Sequence, residues 1–288
     1  MWILFAFLSA LFAGLTAILA KCGIKNTDSN VATALRTIVV LIFSWIMVFL
    51  VNSQGGIGNI AVKTWIFLIL SGISTGASWL CYFKALQLGD INKVTPIDKS
   101  STVLTFCFAS LFLQESVTVI KAIAYILIAI GTYLMIEKRQ SEKNKTEKHA
   151  WIIYAFGSAI FASLTSILGK VGIENIDSNL GTAIRTVVVL IMAWIVVFVT
   201  KKQNTIKDIE RKSWLFLILS GLATGGSWLC FYRALQTGPA SVVVPIDKLS
   251  IVVTIAFSYY VFKEKLSKKA FIGLASIVLG TLLLLIKK

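Results

Sequence analysis

Residues 137–149 read EKRQSEKNKTEKH, thirteen positions without one apolar side chain. The chain on either side has the opposite character: 57% of all residues are hydrophobic, 14% are charged, and the mean hydropathy is +0.84. Soluble domains carry about 25% charged residues. The apolar residues gather in runs of roughly 20, the length a helix needs to cross about 30 Å of hydrocarbon. Five runs precede the polar segment, at approximately 2–21, 31–51, 65–87, 95–113 and 119–136. Five follow it, at 151–170, 180–200, 214–236, 244–262 and 270–286. The polar segment is too charged to enter a bilayer, so it joins two units of five spans through water. Five is odd, and each unit therefore inserts in the opposite sense to the other. The expected fold is an all-α membrane protein of ten transmembrane helices arranged as two inverted five-helix repeats.

Shifting the sequence by 149 residues aligns the halves without a gap and with roughly half the positions identical, which is an internal duplication. Arg36 meets Arg185, Trp79 meets Trp228, Pro96 meets Pro245, Asp98 meets Asp247 and Glu115 meets Glu264. The organisation reads as repeat 1 over 1–136, a charged linker over 137–150 and an inverted repeat 2 over 151–288. The run from Trp2 has no basic residues ahead of it and recurs from Trp151, so it reads as a retained span rather than a signal peptide.

The formal net charge is +15. The basic residues lie between apolar runs rather than on one wettable face, which argues for lipid-headgroup contact and against nucleic acid. On the linker side of the membrane fall 20 of the 28 Lys and Arg residues. The positive-inside rule then puts the linker in the cytoplasm of a plasma-membrane protein and both termini outside. The uncharged loop 52–59 has a counterpart holding Lys201, Lys202 and Lys207, a difference that orients each half. Cys22, Cys81, Cys107 and Cys230 show no metal-ligand spacing, and no cofactor motif is present.

The five-plus-five plan resembles the EamA-like family of the drug/metabolite transporter superfamily. So do the acid closing span 4 ahead of a last helix with a central glycine (Glu115 with Gly131, Glu264 with Gly280) and the twin stretches Ala85-Leu86-Gln87 to Pro96-Ile97-Asp98-Lys99 and Ala234-Leu235-Gln236 to Pro245-Ile246-Asp247-Lys248. The resemblance implies export or import of small metabolites. It also implies both termini in the cytoplasm, opposite to the charge pattern. Relatives that exchange protons for cationic drugs use a Glu in the first span, and here span 1 holds no carboxylate.

Ionisable groups within spans are costly, about 2.5–3.5 kcal/mol at the centre, and so become site candidates. These are Arg36, Lys84, Asp98 and Lys99 with their twins Arg185, Arg233, Asp247 and Lys248. Thr95-Pro96-Ile97-Asp98 also reads as a helix start, with Asp98 either there or pairing with the Arg of span 2 or the basic residue of span 3. Read from the span ends, the first set gathers at one membrane face and the second at the other, as two gates. Their excess of positive charge favours anionic or zwitterionic cargo. Residues 71–79 and 220–228 carry small residues at helix-contact spacing, so Ser78, Trp79, Tyr82, Ser227, Trp228 and Phe231 are candidates to line a cavity. Trp65 and Trp214 read as interfacial anchors. Glu115 and Glu264 are candidates for proton coupling.

A secondary transporter of a small metabolite, needing no second chain because the duplication supplies both halves, accounts best for these features. A membrane-embedded lipid-processing enzyme finds little support in a chain with one histidine, His149 in the linker, and no zinc or nucleophile-elbow motif. A passive channel or scramblase would share the helical plan but would show flux without saturation. A carrier of quaternary ammonium compounds would share it too, against the excess of positive charge.

Overall fold

A computed structural model describes residues 1–23, 27–88, 94, 97–135, 150–261 and 266–286. Repeat 1 contributes α1 (Trp2–Gly23), α2 (Ser29–Leu50), α3 (Val62–Leu88), α4 (Ser101–Leu113) and α5 (Val119–Met135). Repeat 2 contributes α6 (Ala150–Gly172), α7 (Ser178–Val199), α8 (Arg211–Thr237), α9 (Ala240–Lys248), α10 (Ser250–Val261) and α11 (Lys268–Leu283). Helices α9 and α10 are two parts of one span, so the set forms ten membrane crossings. Seven of these are long and apolar enough to qualify on length and composition alone. The linker falls outside the described residues.

Local chemistry sets the helix ends in matching pairs. Asp28 accepts from the backbone N–H of Asn30 (2.9 Å) and Val31 (3.3 Å), and its twin Asp177 from Asn179 (3.0 Å) and Leu180 (3.3 Å). Each carboxylate satisfies amides that would otherwise lack acceptors at the start of a helix. Asn52 (φ 55°) and its twin Lys201 (φ 54°) take the left-handed conformation just past α2 and α7, which stops both helices at the same place.

The repeats interleave instead of folding side by side. Helix α3 packs on α6 and, symmetrically, α1 packs on α8; α2 lies against its twin α7, and α5 against its twin α11. At these crossings glycine permits contact that a methyl group would block. A Cβ at Gly72 would stand 2.7 Å from Val188 Cβ, and one at its twin Gly221 2.6 Å from Val39 Cβ. Inversion is visible at the helix ends: Asn30 at the start of α2 bonds Thr200 just past the end of α7 (3.4 Å).

The radial pattern is that of a protein in lipid. Large apolar side chains such as Phe49, Phe112, Ile126 and Phe271 are exposed on the outer surface, while Ser9, Ser71, Ser158, Thr182 and Ser220 are buried between helices. Hydroxyl groups and small side chains serve as the contact surface where apolar burial gives no driving force.

Span 9 is the element that places the site. It begins at Ala240, four residues before the sequence boundary, because the short apolar run Ser241-Val242-Val243-Val244 is helical rather than loop. Pro245 has no N–H to donate to the carbonyl of Ser241, and that carbonyl accepts from the Tyr125 hydroxyl instead (2.6 Å). The helix breaks at Leu249 before resuming as α10. Asp247 and Lys248 therefore lie about 10 Å along the span, at 1.5 Å per residue, rather than at its mouth.

Candidate functional site

The break in span 9 opens onto a cavity of about 340 Å³ at the centre of the helix bundle. Its walls come from both repeats: Ala13 of α1, Thr75, Ser78 and Trp79 of α3, Ala162, Thr165 and Ser166 of α6, Arg185 of α7, Ser227, Trp228, Phe231 and Tyr232 of α8, and Asp247 with Lys248 of α9. A second cavity of about 400 Å³ lies beside it, lined by Lys99, Thr102, Ile128, Met135 and Thr281 among others, and sharing Ala13 and Lys248 with the first.

The two aspartates are held by serines of the opposite repeat. Ser9 of α1 donates to Asp247 Oδ1 (2.5 Å) and sits 3.3 Å from the Ser227 hydroxyl. Its twin Ser158 of α6 donates to Asp98 Oδ1 (2.7 Å) and sits 3.3 Å from the Ser78 hydroxyl. Cross-repeat serine–aspartate contacts thus stand where pairing with a basic residue of the same repeat was expected. Helix interleaving is the reason, because it brings the first helix of one repeat against the broken span of the other.

The arginines are also held across the repeats, but unequally. Arg185 is 2% exposed. Its Nε donates to Ser71 Oγ (2.8 Å) and its Nη2 to Thr75 Oγ1, while its guanidinium carbon lies 5.2 Å from the Trp228 ring centre and 4.9 Å from that of Tyr232. Ser71 in turn donates to the carbonyl of Thr165 (2.7 Å), fixing the direction of its lone pairs. Nη1 of Arg185 is buried and has no partner among the described residues. Arg36 is half-buried, and its Nη1 reaches the twin hydroxyl of Ser220 at 3.3 Å.

Several expectations need correction. The charged clusters are not wholly separate: Lys99 and Lys248, expected at opposite membrane faces, line a single cavity. Lys84 and Arg233 are exposed near the ends of α3 and α8 and line neither cavity; Arg233 donates to Gln236 (2.8 Å) instead. Tyr82 packs with Ala85, Trp151 and Ala155 rather than lining the central cavity, whereas Ser78, Trp79, Ser227, Trp228 and Phe231 do line it. Asp247 lies in the last turn of α9, not at a helix start; Thr95 and Pro96, which carry that reading in repeat 1, lie outside the described residues.

Glu115 proves to be a helix cap. Its carboxylate accepts from the amides of Ala240 (2.6 Å) and Ser241 (3.0 Å) at the start of α9, and Lys170 Nζ stands 3.7 Å away. Lys170 also donates to the carbonyl of Gly238. The carboxylate thus meets the positive end of a helix and an ammonium through charge-assisted contacts. Glu264 lies outside the described residues.

Three residues of the site carry no signal in the sequence patterns, Ser9, Ser158 and Tyr232, whereas Ser71 and Thr75 lie within the small-residue stretch 71–79. Ser9 and Ser158 are repeat twins inside otherwise apolar spans, and the alignment of the halves is where they could have been found.

An inverted repeat with broken spans and a central polar cavity defines a multi-pass membrane protein built for transport. The family model of the EamA-like transporter family matches residues 1–137 and again 149–286. The chain belongs to that family and is a membrane transporter. It is 45% identical over 135 residues to an uncharacterized transporter from the cobO 3′ region of a Sinorhizobium species, a match covering 47% of this chain and 96% of the relative, whose length is thus that of one repeat. It is 25% identical over 217 residues to the uncharacterized transporter YxxF of Bacillus subtilis, covering 73% of this chain and 67% of that one. A solved crystal structure superposes with a TM-score of 0.77 at 15% identity, covering 98% of this chain and 97% of its own, which shows the fold alone.

Proposed function

We propose that the protein is a secondary transporter that moves a small anionic or zwitterionic metabolite across the cell membrane by alternating access. The observation that carries this reading is the unequal state of two equal motifs. The same Arg, Ser and Thr occur in each repeat, yet Arg185 is sealed against Ser71 and Thr75 while Arg36 remains half-buried. If the repeats exchange these states, the central cavity changes the side from which it is reached. The Glu115–Lys170 contact at the start of α9 holds the Arg185 side closed. Basic residues enriched on the linker side favour a cytoplasmic linker and outward termini. The interleaving of the repeats favours function as a monomer, since every wall of the cavity is present in one chain.

Proteoliposomes on a solid-supported membrane, challenged with amino acids, organic acids, nucleotide sugars and quaternary ammonium compounds, test the reading. Saturable currents for anions or zwitterions are expected. Currents confined to quaternary ammonium compounds would refute the charge preference, and unsaturable flux would refute alternating access.

A further inference from the structure

We propose that the central cavity binds a monoanionic aromatic carboxylate, with the guanidinium of Arg185 and the ammonium of Lys248 receiving the carboxylate and the indole and phenyl walls receiving the ring. The proposal rests on the transport reading and names its cargo class.

A guanidinium presents five N–H donors. In Arg185 the protein itself occupies Nε and Nη2 through Ser71 and Thr75, which fixes the plane of the group. Nη1 has no partner among the described residues, and the residue is 2% exposed while lining the cavity. A buried cationic donor left without an acceptor is costly, so a cavity bordered by one is arranged for a ligand that supplies the acceptor. Three of the five N–H bonds remain, two on Nη1 and one on Nη2.

Charge narrows the class further. Arg185 and Lys248 contribute two positive charges to the wall and Asp247 one negative, its Oδ1 already bonded by Ser9. A monoanion neutralises the remainder. A dianion such as a phosphate ester overshoots, and a cation raises the excess. The rest of the wall describes the body of the ligand: Trp79, Trp228 and Phe231 provide aromatic surface, and the repeat twins Ala13 and Ala162 leave the centre open. A volume of about 340 Å³ is at the small end of ligand sites.

Titration of the purified full-length protein with benzoate, followed by tryptophan fluorescence and calorimetry, tests the proposal. Benzamide, benzylamine, acetate and inorganic phosphate serve as comparison probes. Saturable benzoate binding is expected, with benzamide and benzylamine weaker by roughly 10-fold or more, in keeping with a charge-assisted hydrogen bond. Acetate should bind more weakly than benzoate. Arg185→Gln should weaken benzoate by roughly 10- to 100-fold, whereas the exposed Lys202→Gln should leave it within about 3-fold. The benzoate-against-benzamide comparison uses the unaltered protein and so stands even if Arg185→Gln fails to fold. Equal binding of benzamide and benzoate, or tighter binding of phosphate, would overturn the proposal. Saturable flux of another solute class without benzoate binding would sink this inference and leave transport intact. Benzoate binding with no saturable flux of any solute would do the reverse.

Discussion

Arg36 and Arg185 occupy the same position in two copies of one sequence, and they do different things. Arg185 is locked by two hydroxyls and lies within cation–π distance of Trp228 and Tyr232, and Arg36 is half-buried against Ser220 at a longer distance. The fold gives both the same potential partners, since Ser220 and Thr224 are the twins of Ser71 and Thr75. The hydroxyl partners are therefore alike in the two halves, whereas Tyr232 has Phe83 as its twin. Under the proposed exchange, each half would supply its own Arg, Ser and Thr to the sealed state.

That comparison breaks most sharply on the arginines themselves. Arg185→Gln should lower transport by at least about 10-fold in the proteoliposome assay, removing a cation from the cavity wall. Arg36→Gln should also lower transport, since it deprives repeat 1 of its sealed state; full activity there would show that the two copies do not exchange roles. The aspartates give the next effect. Asp98→Asn and Asp247→Asn should each slow transport by roughly 10-fold through weaker cross-repeat serine contacts, on the scale of hydrogen bonds to charged groups. Unchanged rates in both variants would remove the broken spans from the mechanism.

The packing should be symmetric even though the arginines are not. Gly72→Val and Gly221→Val each place new atoms against a neighbouring helix, at Val188 and Val39 respectively, and each should lower stability by about 1–3 kcal/mol, read as a fall in the thermal unfolding midpoint. A large effect in one and none in the other would mean that the two crossings differ. Tyr125→Phe should give the smallest effect, about 1 kcal/mol, by leaving the Ser241 carbonyl that Pro245 exposes without its donor.

Much of this architecture is legible in the residues alone. Span length, the odd number five and the 149-residue offset determine the inverted plan, and the helices begin and end within a few residues of the apolar runs, apart from spans 4 and 9. Depth is not legible at that span. Ala240 to Val244 looks like a tail of short residues after Pro239, which places Asp247 at the membrane surface; the helix in fact starts there and carries the charge inward. Partnership is likewise hidden. Hydrophobic periodicity says which face of a helix is buried but not which helix covers it, so the swap that delivers Ser9 to Asp247 and Ser71 to Arg185 does not follow from spacing. Glu115 shows the same limit: an acid at a loop reads as solvated or proton-binding, and it caps the first turn of a helix from the other repeat.

The most direct test of the account uses the twin alanines of the cavity wall. Ala13→Cys and Ala162→Cys, each in a background with Cys22, Cys81, Cys107 and Cys230 replaced by serine, can be probed with a membrane-impermeant maleimide from either side of oriented vesicles. Both positions should be labelled from one side without cargo, and saturating cargo should increase labelling from the other side at the expense of the first. Labelling from both sides at once, unaffected by cargo, would contradict it.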